Sequence, residues 1–148
     1  MHLICEISGN VFNTGVNSNK NFRDNLHKYI YGILKKRNQY PLAVNGWKDH
    51  VHVFFELHPT TDISSVMEVV KANSSGWINE NKLVLGKFFW QSGYGAFSYS
   101  RPQRDYVIKY IMNQEEHHKT QTFREEYLRF LKEFEIEYDE KYLFEFYD

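Results

Sequence analysis

A predicted β-hairpin near the centre of the chain constrains the fold more than any other feature. Residues 41–44 are apolar, and residues 49–58 are rich in valine and phenylalanine, which favour β-strands. Asn45 and Gly46 lie between these two segments. Because Asn-Gly flanked by such runs is a strong hairpin signal, we expect two antiparallel strands joined by a short turn.

The segments on either side of the hairpin alternate between strand and helix patterns. Residues 2–7 resemble a strand, and apolar residues recur at the spacing of an amphipathic helix over about 21–37. After the hairpin, Asp62 or Thr61 can cap a second helix. Residues 88–99 are predicted to form the last strand, with an irregular stretch that its glycines permit.

Two more helices are expected beyond the last strand, over about 102–118 and 122–134, followed by an acidic, aromatic tail. The order β-α-β-β-α-β is that of a ferredoxin-like, split βαβ α+β fold, with an antiparallel sheet and helices on one face. In RNA-binding, RRM-like proteins of this architecture, the other sheet face binds the partner. We therefore expect a free sheet face in addition to the C-terminal helices.

The composition is that of one intracellular globular domain. The chain has 148 residues, of which 42% are hydrophobic and 25% charged. Its single cysteine, Cys5, excludes an internal disulfide and favours a reducing compartment. No apolar run approaches the roughly 20 residues that span a bilayer, and the start lacks the features of a signal peptide. We therefore expect a cytoplasmic protein with no membrane partner.

The net charge of −1 hides an asymmetry along the chain. Nine acidic and three basic residues lie from Glu125 onward, whereas the preceding 124 residues carry 15 basic and 10 acidic ones. A mildly basic body is compatible with a nucleic-acid partner. Aromatic residues make up 18% of the chain. Most are expected in the core, and stacking on bases is open for a few.

Two histidines separated by one valine suggest the chemistry of the chain. Side chains alternate between the two faces of a strand, so His50 and His52 point to the same face while Val51 enters a core behind them. Neutral imidazole is a common metal ligand. Two histidines do not complete a metal site, so another part of the chain has to supply a further ligand.

Several segments, taken in order, make the chain resemble a known family. They are Asn45-Gly46 ahead of Asp49-His50-Val51-His52, Lys71 with residues 74–79, residues 89–98, Tyr110-Ile111-Met112-Asn113-Gln114, and residues 115–118. Together they resemble the signatures of the single-tyrosine transposases of the His-hydrophobic-His (HUH) nuclease superfamily, of the insertion-sequence and REP-associated type. The resemblance covers most of the chain.

The resemblance implies a metal site and a nucleophile. In this family two histidines and a polar side chain one helical turn beyond the tyrosine bind a divalent cation, Mg²⁺ or Mn²⁺. Carried over, the ligands are His50, His52 and Gln114. Tyr110 would attack the scissile phosphate and keep the 5′ end as a phosphotyrosine, which splits strand transfer into two reversible steps.

The resemblance also implies the partners. The family acts on single-stranded DNA near hairpins, as a homodimer in which the tyrosine helix of one subunit typically completes the histidine site of the other. Residues 1–148 would form one transposase-like HUH nuclease domain with an acidic extension over about 125–148. Basic residues that are candidates for contacts to the DNA backbone are Lys71, Arg101, Arg104 and Lys109.

Some assignments leave alternatives open. Tyr106, one helical turn before Tyr110, is a competing nucleophile, and Glu115 or Glu116 could replace Gln114 as a ligand. Three other functions compete with transposition. They are a non-catalytic nucleic-acid-binding module of the same fold, a metal-dependent phosphodiesterase that uses water, and a structural dimer with vestigial site residues.

The first strand departs from the family pattern. The family usually opens with a His-led strand that carries a basic residue near its end, whereas residues 2–8 carry Glu6 and no cation beyond the leading histidine. The departure bears on the strength or geometry of DNA binding. It also leaves open an inactive or domesticated copy.

Overall fold

The helices and strands follow the predicted order. A computed structural model describes residues 2–9, 20–46, 50–84 and 86–113, together with Glu125 and Arg129. The elements are β1 His2–Ser8, α1 Lys20–Lys36, β2 Tyr40–Gly46, β3 His50–Glu56, α2 Ile63–Glu80, β4 Gly95–Tyr99, a 3₁₀ turn Arg101–Gln103 and α3 Arg104–Met112.

The four strands form one antiparallel sheet in the order β2-β3-β1-β4. This is the strand arrangement of a split βαβ unit, so the predicted ferredoxin-like α+β fold is confirmed. The antiparallel pairing of β2 and β3 is also confirmed. The turn predicted at Asn45-Gly46 is wrong, because both residues belong to β2 and pair with His52 and Val51. A Cβ atom at Gly46 would collide with the backbone carbonyl of His50, which explains why glycine ends β2 where the two strands come together.

The larger core lies between one sheet face and the helices α1 and α2. Leu3, Cys5 and Ile7 of β1 and Val51, Val53 and Phe55 of β3 line the sheet side of this core. Asp62 is the N-cap of α2, because its Oδ2 accepts a hydrogen bond of 3.0 Å from the backbone N–H of Ser65. The hydrogen bond from the Ser65 side chain is the main reason that the pKa of Asp62 is lowered.

A second, smaller core occupies the opposite face of the sheet. Val107 and Ile111 of α3 pack there against Ile4, Ala43 and Phe54. The prediction that this face is free for a partner is therefore wrong over β1, β2 and β3. The sequence pattern did not reveal this, because the apolar stripe of α3 fits either face of the sheet equally well.

The last strand is shorter than predicted. β4 covers Gly95–Tyr99, and the residues before it take their hydrogen bonds from side chains of α2. Asn79 Nδ2 donates to the Phe88 carbonyl at 2.8 Å, and the Phe88 N–H donates to Asn79 Oδ1 at 2.7 Å. The indole N–H of Trp90 donates to Ser74 Oγ at 2.9 Å. These contacts satisfy backbone and ring groups without a strand partner.

The third helix also ends earlier than predicted. α3 stops at Met112, and the N–H of Asn113 donates to the carbonyls of Lys109 and Tyr110. Asn is a poor residue for a helix interior, which suits this end. Residues 114–120, and with them Gln114, lie outside the described residues.

The C-terminal predictions fall largely outside the described residues. Of the predicted helix 122–134, Glu125 and Arg129 are described, and both have helical backbone. The acidic extension over about 125–148, and with it the boundary of a single domain, stays a prediction. No helix among the described residues is long and apolar enough to cross a membrane.

Candidate active site

The two histidines of β3 share the face on which α3 packs. Both are fully buried, their ring centroids are 4.8 Å apart and the ring planes meet at 84°. Val51 between them belongs to the larger core on the opposite face. The prediction that His50 and His52 point the same way, with Val51 behind them, is confirmed.

A row of four residues crosses the sheet at His52. Asn45 of β2 pairs with His52, His52 pairs with Glu6 of β1, and Glu6 pairs with Gly95 of β4. Glu6 is fully buried, and its Oε1 lies 2.9 Å from Nδ1 of His52. A buried carboxylate is costly unless a cationic or hydrogen-bonding group faces it, so this pair is the main electrostatic feature of the site.

Asn45 connects the C-terminal end of α3 to the same row. Its Nδ2 donates to the Ile111 carbonyl at 3.0 Å. The C-terminal end of a helix carries partial negative charge, which favours a nearby cation. Gln114 follows Ile111 by three residues, and its predicted role as a metal ligand stays a prediction.

Tyr110 lies on α3 and packs against the edge of the smaller core. Its hydroxyl accepts a hydrogen bond of 2.6 Å from Nη2 of Arg129, and the guanidinium lies 5.4 Å from the ring centroid. Tyr106, the competing nucleophile, is 72% exposed. A cationic donor at the phenol oxygen stabilises negative charge there, as an attacking oxygen requires.

Two further buried groups lie near the site, and neither completes it. His27 of α1 has its pKa lowered to about 3, first by burial and then by Arg23, His50 and His52, so it stays neutral. Burial, with Glu6 beside it, raises the pKa of Cys5, and the thiol stays protonated. A protonated thiol is a poor metal ligand, so Cys5 acts as a packing residue.

The histidine row offers two imidazole side chains, which are common ligands of divalent cations. Within the part of the chain that the structure describes, no three His, Cys, Asp or Glu side chains are arranged to hold a metal ion. Two imidazoles with the buried Glu6 carboxylate alongside still favour positive charge. A cation there would offset the cost of burying that carboxylate.

The basic residues proposed for DNA contact occupy two places. Arg101, Arg104 and Lys109 are exposed on the 3₁₀ turn and α3. Lys71 of α2 instead donates from Nζ to the carbonyls of Gln91 and Gly93, at 2.7 and 2.8 Å. Burial lowers the pKa of Lys71. The structure thus gives Lys71 a role in fixing this loop, and the DNA contacts of all four stay predictions.

Three residues of the site were not predicted from the sequence. Glu6 departs from the family pattern, and its sequence signal is that a lone carboxylate within an apolar strand needs a partner when it is buried. Asn45 is predicted in the hairpin turn but belongs to β2, and no local pattern indicates its bond to α3. Arg129 lies in a predicted helix and carries no sequence signal for a contact with Tyr110.

Comparison with known proteins gives the family. The family model described as "Transposase IS200 like" matches residues 13–114. No curated protein matches the sequence.

Two solved structures share the fold. A candidate transposase from Deinococcus radiodurans R1 has a TM-score of 0.57 at 16% identity, covering 77% of this chain and 90% of that one. A REP-associated tyrosine transposase bound to a REP hairpin has a TM-score of 0.57 at 14% identity, covering 79% and 67%. Since the family match spans more than half of the 148 residues, the chain belongs to the family of IS200-like transposases.

Proposed function

We propose that the protein is a DNA transposase that cleaves and rejoins single-stranded DNA through a 5′-phosphotyrosine on Tyr110. The observation that carries this proposal is the packing of α3, which bears Tyr110, on the sheet face that holds His50 and His52. Membership of the transposase family supports the same activity.

Tyr110 is the nucleophile in this proposal. Its Oη forms a bond to the scissile phosphorus as the bond to the 3′ oxygen breaks, and the phenol proton is released while the leaving oxygen gains one. Arg129 donates to this Oη at 2.6 Å, which orients the phenol and stabilises negative charge on it. In the second step, a 3′ hydroxyl attacks the phosphotyrosine and the phenol leaves, so the phosphodiester count is conserved.

The metal ligands in this proposal are His50, His52 and Gln114. A bound Mg²⁺ or Mn²⁺ supplies Lewis-acid polarisation of the phosphate and neutralises charge on the leaving 3′ oxygen. Both imidazoles are fully buried. The scissile phosphate therefore reaches them only after the groups that cover them move. The end of α3, which Asn45 of the same row holds through the Ile111 carbonyl, is the segment that we propose moves.

The substrate in this proposal is single-stranded DNA beside a hairpin, taken up by a homodimer. A transposase of similar fold has been solved with a REP hairpin bound, and the exposed Arg101, Arg104 and Lys109 supply cations for a backbone contact. Exchange of α3 between subunits would let the Tyr110 of one subunit act at the histidines of the other. The smaller core would then re-form across the interface.

A denaturing gel tests the proposed chemistry. Labelled single-stranded DNA that carries the hairpin flanking the gene is incubated with protein and Mn²⁺, beside Tyr110→Phe, His50→Ala and the matched control Tyr106→Phe. We expect a metal-dependent covalent adduct in the wild type and the control, and none in the other two. Adduct formation by Tyr110→Phe would contradict the assignment of the nucleophile.

Mixing the two inactive variants tests the use of the tyrosine in trans. Tyr110→Phe supplies intact histidines and His50→Ala supplies an intact tyrosine. If the tyrosine acts across the dimer, the mixture regains adduct formation that each variant alone lacks. Mixtures that stay inactive after subunit exchange would show action within one chain.

A non-catalytic nucleic-acid-binding module of the same fold is the second candidate. The complete burial of His50 and His52 favours it, because neither ring is accessible to a phosphate in this structure. This candidate predicts hairpin binding that is unchanged in Tyr110→Phe and no adduct under any metal condition.

A further inference from the structure

Glu6 lies beside the histidine site and has no role in the proposed function so far. It lies on the central strand β1, opposite His52 in the β1–β3 register. Both side chains have no solvent exposure, and Glu6 Oε1 lies 2.9 Å from His52 Nδ1. A buried carboxylate needs a partner group, because removing its charge from water is costly.

The chemistry of the two groups decides which nitrogen of His52 carries a proton. An ionised carboxylate is only an acceptor, whereas a neutral imidazole donates from one ring nitrogen and accepts or ligates with the other. With Glu6 at Nδ1, the proton belongs on Nδ1 and the lone pair is left on Nε2. This is the tautomer that a metal-ligating histidine needs when Nε2 is the ligand.

We propose that Glu6 is the positioning residue of the metal site. It accepts the Nδ1–H of His52, holds the ring so that Nε2 is available to the cation, and adds a buried negative charge beside it. The part that concerns the cation rests on the proposed function. The 2.9 Å contact between Glu6 Oε1 and His52 Nδ1 does not have hydrogen-bond geometry in this structure, so the donation from Nδ1–H is part of the proposal. Contacts of this kind tighten when a site binds its partner.

Glu6 acts through His52 and is not itself a ligand. Among the described residues, no three His, Cys, Asp or Glu side chains are arranged to hold an ion, so Glu6 does not form such a group with His50 and His52. Histidines that ligate metals commonly donate the other ring N–H to a carboxylate, and loss of that carboxylate costs about 10–100-fold in metal affinity. The β1–β3 register places this carboxylate opposite His52.

The experiment combines a spectroscopic and a binding readout on the full chain. Nitrogen-15 NMR of the imidazoles, without metal and with Mg²⁺, reports the tautomer of His52, and electron paramagnetic resonance with Mn²⁺ gives the metal Kd. Glu6→Gln keeps an oxygen that accepts from Nδ1–H but removes the charge, and Glu6→Leu removes both. Glu56→Gln is the matched control, since it removes a carboxylate four residues from His52, about 13 Å along β3.

We expect Nδ1–H in the wild type, in Glu6→Gln and in Glu56→Gln, and a shift of the proton towards Nε2 in Glu6→Leu. The Mn²⁺ Kd is expected to rise about tenfold in Glu6→Gln, by up to about 100-fold in Glu6→Leu, and not in the control. If Glu6→Leu does not fold, the Kd of the isosteric Glu6→Gln variant decides the matter.

Two outcomes would overturn the inference. They are an unchanged His52 tautomer and Mn²⁺ Kd in both Glu6 variants, or a wild-type His52 with both ring nitrogens protonated near neutral pH. A wild-type chain that binds no Mn²⁺ refutes the metal site of the proposed function. The metal-free tautomer spectra then still decide whether Glu6 holds His52, so the two failures are distinguishable.

Discussion

Ile111→Ala tests whether the smaller core holds the tyrosine helix on the histidine face. Ile111 is fully buried in a core that contains four other buried residues among those described, Ile4, Ala43, Phe54 and Val107. The substitution removes three carbons, worth about 2.4 kcal/mol in transfer free energy at about 0.8 kcal/mol each. The cavity term brings the expected loss to about 3–4 kcal/mol.

That loss falls mainly on the docking of α3. Every 1.4 kcal/mol changes an equilibrium tenfold, so about 3 kcal/mol raises the population of undocked α3 by about 100-fold. Native-state hydrogen exchange measures this directly on the α3 amides. The matched control is Ile30→Ala, since Ile30 is equally buried on α1 in the larger core.

The two variants are expected to separate the two cores. Ile30→Ala lowers the free energy of global unfolding in urea and leaves local α3 exchange near the wild-type rate. Ile111→Ala accelerates exchange in α3 more than in β1 or α1. Equal acceleration across all helices in Ile111→Ala would refute the view that α3 is held by a separate, small core.

Three further predictions concern pH, the loop contacts of α2 and the nucleophile. Burial lowers the pKa of His27 from 6.5 to about 3 on folding, so the folded chain binds fewer protons than the unfolded one between these values. The contribution of His27 to the free energy of unfolding is complete above pH 6.5 and falls by up to about 1.4 kcal/mol per pH unit towards pH 3. In urea unfolding at neutral and at acid pH, His27→Leu should lose less stability on acidification than the wild type. Lys71→Met removes two hydrogen bonds to loop carbonyls. Because solvent screens this half-buried ammonium, the expected loss of stability in thermal unfolding is about 1 kcal/mol. An unchanged stability would contradict a structural role for Lys71. Arg129→Gln removes the cationic donor to Tyr110 and should slow adduct formation about tenfold. Arg129→Lys keeps a cation and should retain part of the rate. A faster reaction in Arg129→Gln would show that Arg129 restrains the tyrosine instead.

Local patterns determined most of the fold. The alternation of side chains in β3 placed His50 and His52 on one face, because the two-residue period of a strand does not depend on its neighbours. The antiparallel pairing of β2 and β3 was also indicated by local pattern, but the turn predicted at Asn45-Gly46 is wrong, because both residues are paired in β2. The start of α2 was indicated by Asp62, because an aspartate before a helix accepts a hydrogen bond from a backbone N–H of the first turn, here that of Ser65.

The errors arose where tertiary contacts override local pattern. The segment before β4 looks like a strand, since Phe88 and Trp90 are aromatic. In the folded chain Asn79 and Ser74 of α2 bond to Phe88 and Trp90, and residues 87–94 are not part of a strand. The sequence also did not predict which face of the sheet α3 covers, because the apolar stripe of an amphipathic helix does not specify the surface on which it packs.

By itself, the sequence determined the order of elements, the shared face of the histidines and the family, since each depends on residues close together in the chain or on their order along it. The tertiary structure alone decided which groups surround the histidines. The β1–β3 register brings Glu6 to His52, Asn45 reaches the end of α3, and Arg129 reaches Tyr110. These contacts join residues far apart in the chain, and a strand register shifted by one residue would turn Glu6 to the opposite face.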